Sequence, residues 1–286
     1  MKHAGASTRG FHRLALYATC PARFGFSEML KLEPLRVSEP IARGSLGHIA
    51  LMNHYLGQMG AAHTDPIGSM REAPERIAYA FEHMQHVVIR YLRYAEAADR
   101  GWEIVDVERE FRITFAGELY TQKADLVIRQ RDDGRIYFVD HKFVQSARAV
   151  DKLPLWRTVD GQNLGYQLIG ELTVGKVVYA GSEFGGVIIN VISCQAPFEI
   201  KRHPVPITRS AVEGFRIAAA KTLKAAAGAE GQDVWTLEKR GLVSGACQGR
   251  YDACAYLRLC RDGKQALRDF DHRVDTVTDV RQSAGI

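Results

Sequence analysis

No stretch of this chain approaches the roughly 20 consecutive apolar residues that cross a bilayer, and Met1–Gly10 lacks the apolar core of a secretory leader. Internal repeats, low-complexity tracts and long Pro/Gly/Ser linkers are missing, which sets aside solenoids, disordered tails and strings of small domains. Cysteine is scarce and odd in number, five in 286 residues, which suits free thiols or metal ligands better than a disulfide framework. Neither sign of charge dominates: 38 Lys+Arg face 33 Asp+Glu, and a formal charge of +5 permits an anionic partner without requiring one. What is there is ordinary for a globular protein, with 46% hydrophobic and 25% charged residues. The expectation is a soluble cytoplasmic protein, away from membranes, forming a single domain (1–286) large enough to bury its own core.

The apolar spacing changes along the chain. The first forty residues read as short and irregular. Helical spacing runs from Ile41 to Met59 and from about Ala73 to Ala98, where Phe81, Met84, Val88, Tyr91, Leu92 and Ala95 form one stripe. From Glu103 to Phe115 the period drops to two, and Ala124–Gln130 and Arg135–Val144 follow as two more β-rich runs. Arg131-Asp132-Asp133-Gly134 joins them, and its Asp-Gly pair marks a hairpin turn. Gln162–Leu172 is helical, Lys176–Ala180 and Gly186–Ser193 read as strands, and Ala211–Ala227 is an Ala/Lys-rich helix. Helices, then a β-meander, a helix and further strands give an α/β or α+β sandwich.

The hairpin carries the chemistry. Asp125 sits near the start of its first strand and Asp140 within the second, so the two carboxylates fall at the same end, within reach of one divalent cation. A hard cation such as Mg²⁺ takes oxygen ligands, usually one or two carboxylates with waters and substrate phosphate. Lys142 lies two residues beyond Asp140, on the same face of the strand. The acid-x-Lys spacing also occurs at Glu199–Lys201 and Asp262–Lys264, and a same-face salt bridge is the plain reading of any one of them. Asp140 differs in its setting. It ends the apolar run Ile136-Tyr137-Phe138-Val139, where a carboxylate needs a metal or a partner.

Taken in order, the motifs resemble the PD-(D/E)XK nuclease superfamily, in its RecB-type branch. Gly44-Ser45-Leu46-Gly47-His48 is similar to the Gly-x-x-x-His element before the sheet, Ala124-Asp125 to the first acidic motif, Asp140-His141-Lys142 to the second, and Gln162-Asn163-Leu164-Gly165-Tyr166 to the Gln-x-x-x-Tyr element on the next helix. The resemblance covers roughly residues 14–260. It implies a restriction-endonuclease-like core at 41–230, a mixed central sheet flanked by helices. It also implies Mg²⁺ or Mn²⁺ on His48, Asp125, Asp140 and the His141 carbonyl, a water-positioning Lys142, and Gln162 and Tyr166 bracing the site or touching DNA. Read singly, His48 and Tyr166 are core or surface residues and Gln162 is a helix-start residue. Glu108, in the run Asp106–Phe111, matches an acidic position common in that branch, on a face that otherwise reads as solvated. One departure stands at Gln122, where the family often has glycine three residues before the first acid.

The cysteines divide. Tyr17-Ala18-Thr19-Cys20-Pro21 resembles the first cysteine motif of iron–sulfur members of that branch (AddB-type helicase–nucleases, CRISPR-adaptation exonucleases and phage relatives), which pair it with a C-terminal trio. Here the trio is Cys247, Cys254 and Cys260, with Tyr251 where a shorter first gap would put a cysteine. Four thiolates suit a [4Fe–4S] cluster, with tetrahedral zinc as the alternative, joining the terminal segments 1–40 and 240–265 at a cysteine cluster. Cys194 reads as a packing residue. Arginine outnumbers lysine, in groups such as Arg90, Arg93 and Arg100, Arg148, Lys152 and Arg157, Lys201 and Arg202, and Arg250, Arg258 and Arg261, which suits phosphate forks. Trp156 and Tyr166 could stack on single-stranded bases or pack in the core. With no Gly-x-x-x-x-Gly-Lys-Ser/Thr motor loop, the reading is a metal-dependent DNA exonuclease acting on ends or single strands. It would work alone or with recombination, replication or CRISPR-adaptation proteins. The alternatives are an endonuclease and an inactive DNA-binding or assembly subunit.

Overall fold

In the computed structural model of the chain, residues 9–35, 37–151, 155–245, 247 and 253–272 are described. They fall into two compact units: residues 9–12 with 37–221, and residues 13–35 with 222–272.

The larger unit is built on one five-stranded sheet. Helices α1 (Glu39–Gln58) and α2 (Phe81–Ala98) come first, then strands β1 (Trp102–Phe115), β2 (Glu118–Gln130) and β3 (Ile136–Val144). Helix α3 (Gly161–Thr173) precedes β4 (Phe184–Ser193) and β5 (Ile200–Pro204). The strands lie side by side in chain order, antiparallel except for the β3–β4 pair, which is parallel with α3 in its crossover. The β2–β3 turn forms as its composition demands. Gly134 takes φ 70°, and the Asp133 carboxylate accepts from Arg135 N and the Tyr137 hydroxyl.

Strand alternation sorts the side chains of β3. Val139 packs with Leu126, Ile128, Ile188 and Ile192 against Leu46, Leu51 and Tyr55 of α1 and Met84, Val88 and Tyr91 of α2. Phe138 points to the other face, in ring contact with Tyr166 of α3, Phe111 and Phe184. Its complete burial is worth on the order of 2–3 kcal/mol. Two glycines let helices come close at the site. A Cβ on Gly47 would stand 2.1 Å from the Phe143 ring, and one on Gly165 would stand 2.3 Å from the Tyr120 hydroxyl. Either insertion would force the packing apart, at about 1–3 kcal/mol.

The smaller unit has its own core of Leu16, Phe24, Phe26, Leu32, Val234, Leu237, Tyr256 and Leu259. A short antiparallel pair, Leu32–Pro34 with Phe270–His272, joins its two chain segments, and the Tyr256 hydroxyl donates to Leu32 O at 2.8 Å.

Several expectations change. The first forty residues are helical from Phe11 to Thr19 and from Pro21 to Phe24, with a π-helical turn over Gly25–Met29. The expected helix from Ala73 is instead a one-turn helix, Glu75–Ala78, and α2 starting at Phe81. Lys176–Ala180 is no strand: Val174 and Val178 make one isolated bridge, because Gly175, Tyr179 and Gly181 all take positive φ and turn the chain. Edge strand β5 was not foreseen. No helix among the described residues is long and apolar enough to cross a membrane.

Candidate active site

Asp125 and Asp140 come from neighbouring strands. Asp125 lies mid-strand rather than near a strand start, because β2 begins at Glu118. The β2–β3 ladder runs from Arg129↔Ile136 to Leu126↔Val139, and its next step would set Asp125 opposite Asp140. There the Asp125 carboxylate itself accepts from the His141 backbone N–H, at 2.8 Å. A side chain thus takes a ladder donor at the point where the chemistry is concentrated.

Asp140 is 1% exposed; its Oδ1 collects the hydrogen bonds, while Oδ2 has the Lys142 ion pair and no hydrogen-bond partner among the described residues. Lys142 Nζ lies 3.0 and 2.8 Å from its two oxygens and donates to Gln162 Oε1 at 2.9 Å. Gln162 Nε2 donates to Asp140 Oδ1 at 3.1 Å, and the Tyr166 hydroxyl donates to Lys123 O at 2.9 Å and lies 3.5 Å from Asp140 Oδ1. Helix α3 delivers both Gln162 and Tyr166 because its first turn is capped by Asp160, whose carboxylate accepts from Gln162 N. Gln122, the departure from the family glycine, is used here: it accepts from the Tyr120 hydroxyl and donates to Gln162 O, tying β2 to α3. Burial holds the Tyr166 phenol well above its ordinary pKa, so it stays a neutral donor.

On the other side of Asp125 stand His48 and Glu108. His48 Nδ1 is 3.4 Å from Asp125 Oδ2, and Phe143, seated under Gly47, packs edge-on against the imidazole at 5.8 Å. Glu108 corrects the expectation of a solvated face. It is buried, it pairs with Lys123 at 2.6 Å, and its backbone takes φ 51° where the β1–β2 pairing skips it. A non-glycine residue there costs about 1–3 kcal/mol, strain typical of functional sites. Burial first, and the Asp125 charge second, push its carboxyl up to about 7. Donor atoms of His48, Glu108 and Asp125 lie within 4.8 Å of one another, the one such trio among the described residues. Two carboxylates and an imidazole suit a hard or borderline divalent cation. Asp140 and His141, also expected as ligands, are outside that trio.

The His141 ring faces the α1–α2 side. It stacks on Tyr55 (centroids 5.8 Å, planes 3° apart) and meets the Asn190 amide 2.9 Å from Nδ1. Asn190 also donates to the Tyr91 hydroxyl, which lies 2.6 Å from that of Tyr55. Burial, then the His48 charge, holds His141 well below its ordinary pKa, so the ring is neutral. Lys123, Tyr55 and Asn190 are absent from the sequence expectations, and Tyr91 enters them only as part of a helix's apolar stripe. An amide in the apolar run Val187–Ile192 was the available signal for Asn190.

In the smaller unit, Cys20, Cys247, Cys254 and Cys260 line one pocket with Arg23 and Lys239. Burial and the neighbouring cysteines push the Cys247 and Cys260 thiols up. The 4.8 Å spacing is met by no three of the four sulfurs. Cys194 is buried in the larger unit, its thiol pushed by burial to about 11, as befits packing. Of the basic groups, Arg202 is internal, paired with Asp99 and stacked on Trp102. Lys152, Arg250 and Tyr251 lie outside the described residues.

A mixed sheet flanked by helices, bearing facing carboxylates and a lysine on two of its inner strands, is the restriction-endonuclease-like class of α/β protein. The chain belongs to the PD-(D/E)XK nuclease superfamily, whose family model matches residues 11–261. A crystal structure named "Putative exonuclease" from Eubacterium rectale shares the fold, with a TM-score of 0.54 and 13% identity over 85% of this chain and 88% of that one. A structure named SSO0001 aligns more loosely, at a TM-score of 0.34 and 14% identity over 77% of this chain and 85% of that one. No curated protein matches the chain.

Proposed function

We propose that this protein is a Mg²⁺- or Mn²⁺-dependent DNA nuclease that trims DNA from ends and carries a cysteine-held iron–sulfur cluster. The observation that supports it best is the knot of Lys142, Gln162 and Tyr166 around Asp140, set beside the His48–Glu108–Asp125 trio. The trio fits a divalent cation in donor type and spacing; Asp140 and the His141 carbonyl complete the expected set. When bound, the cation supplies charge stabilisation and a water of lowered pKa. Lys142 Nζ, held by Asp140 and Gln162, would orient the attacking water, its own charge balanced by the Asp140 carboxylate. Gln162 and Tyr166 fix Asp140. Attack of water on phosphorus would form a new P–O bond as the P–O3′ bond breaks, the proton given up by the water passing through solvent to the leaving 3′-oxygen, to give a 5′-phosphate and a 3′-hydroxyl.

Cys20, Cys247, Cys254 and Cys260 would hold a [4Fe–4S] cluster, with zinc as the alternative. Such a group suits the reducing cytoplasm and a single nuclease domain whose ends it ties together. Iron and zinc analysis of anaerobically purified protein separates the two metals. Digestion of end-labelled single- and double-stranded DNA, with and without Mn²⁺, tests the activity. Mononucleotides released progressively from one end support the exonuclease. Internal fragments would make it an endonuclease, and binding without cleavage would make it a DNA-binding subunit of recombination, replication or CRISPR-adaptation partners.

A further inference from the structure

The five-residue 3₁₀ turn Leu155–Val159 exposes more large apolar surface than any other element of the described residues: Leu155 is 83% exposed, Trp156 46% and Val159 60%. The turn is not loose. Asn163 Nδ2 donates to Arg157 O at 2.8 Å, Arg157 pairs with Asp160 at 3.0 Å, and Asp160 caps α3. The turn is therefore clamped to the helix whose Gln162 touches Asp140. Six Cα steps separate Trp156 from Gln162, at most about 22 Å of chain, a reach of a few nucleotides along an extended single strand. The Arg157 guanidinium lies 4.1 Å over the Trp156 ring, which sets a fixed cation on an exposed indole.

Carboxylates repel a phosphate backbone, so a strand entering this site needs binding energy from its surroundings. An exposed indole flanked by two apolar side chains supplies it chiefly by base stacking, with the Arg157 cation, shared with Asp160, beside the ring. A protein partner would match the apolar groups but not the cation or the position beside the carboxylates. Bases inside an intact duplex have no free face to stack. We infer that Leu155–Val159 is a stacking platform for single-stranded DNA a few nucleotides from the cut, with Trp156 as its base contact, so that single strands and frayed ends are the preferred substrate. This rests on the nuclease reading and adds the strand preference to it.

The test uses a short fluorescein-labelled oligo(dT), and the matching blunt duplex, with wild type, Trp156→Ala and Trp156→Phe, in EDTA for binding and in Mn²⁺ for cleavage. Trp156→Ala is expected to weaken oligo(dT) binding and raise its KM by about tenfold, the scale of one lost base stack, and Trp156→Phe to restore both. Oligo(dT) should quench the indole fluorescence of the wild type and much less that of Trp156→Phe. Equal binding, KM and quenching in all three proteins, with wild type cutting DNA, overturns the platform and leaves the nuclease. A wild type that neither binds nor cuts DNA overturns the nuclease reading itself. A Trp156→Ala protein changed only in its self-association would make the turn a contact between copies, and also overturns the platform.

Discussion

The carboxylate site and the cysteine pocket are assembled by different means. His48, Glu108, Asp125, Asp140 and Lys142 hang from a long helix and three neighbouring strands, and backbone ladders fix where each side chain starts. Gln162 and Tyr166 lock them from a capped helix. The cysteines have much less behind them. Cys20 precedes a four-residue helix, Cys260 sits in a six-residue one, and Cys247 and Cys254 are joined by a single backbone bond of 2.7 Å. Helices so short are marginal without tertiary support. On the proposed reading, the first site is organised before its ligand arrives and the second would gain further order from a bound metal.

That contrast can be broken from either side. Asp125→Ala removes the group shared by the trio and the His141 N–H. DNA cleavage should fall on the order of a thousandfold, while circular dichroism and the metal content at the proposed cysteine site are unchanged from wild type. Loss of that metal in the same variant would show that the two regions are not independently built. Cys260→Ser should act in the opposite sense. The metal content drops and unfolding of the cysteine unit shifts by about 2–4 kcal/mol, the scale of a lost cross-link, as read by calorimetry. An unshifted transition with full metal content would contradict a ligand role for Cys260.

Smaller effects probe the support behind the first site. Asn190→Ala leaves the Tyr91 hydroxyl and the His141 ring without their shared partner. Denaturant unfolding should show about 1–3 kcal/mol of lost stability; a change near zero would mean that the network braces nothing. The pH response is the mildest. His141 titrates well below 6.5 in the fold, so the unfolded chain takes the extra proton first; stability is complete above about 6.5 and declines as pH falls beneath it. Glu108, pushed up to about 7, holds a proton below that value in the metal-free protein. Mn²⁺ must displace it, so calorimetric affinity should climb with pH towards about 7 and level off above, and Glu108→Gln should remove that slope.

How much of this was legible depended on whether the cause was local. The Asp133-Gly134 turn, the spacing in α1 and α3, and a carboxylate ending an apolar run are short-range signals, and the hairpin, both helices and the Asp140–Lys142 pair follow from them. The π-helical turn at Gly25–Met29 packs on Val234 and Leu237, residues some two hundred positions away, and no local period announces it. The valines of Lys176–Ala180 read as β-branched strand, yet the glycines on either side turn the chain first. Edge strand β5 alternates poorly because it is only half covered. Glu108 owes its role to a positive φ and to Lys123 on the facing strand, neither of which a single strand pattern encodes. Gln122 broke the family pattern and proved to be a tie to α3, visible only once the helix was in place.

The central claim is that the carboxylate–lysine knot performs phosphodiester hydrolysis. Its most direct test is cleavage of end-labelled linear DNA in Mn²⁺ by wild type and Lys142→Ala, with DNA and Mn²⁺ binding measured on the same preparations. The account predicts a variant that binds both and does not cut; undiminished cutting by Lys142→Ala would contradict it.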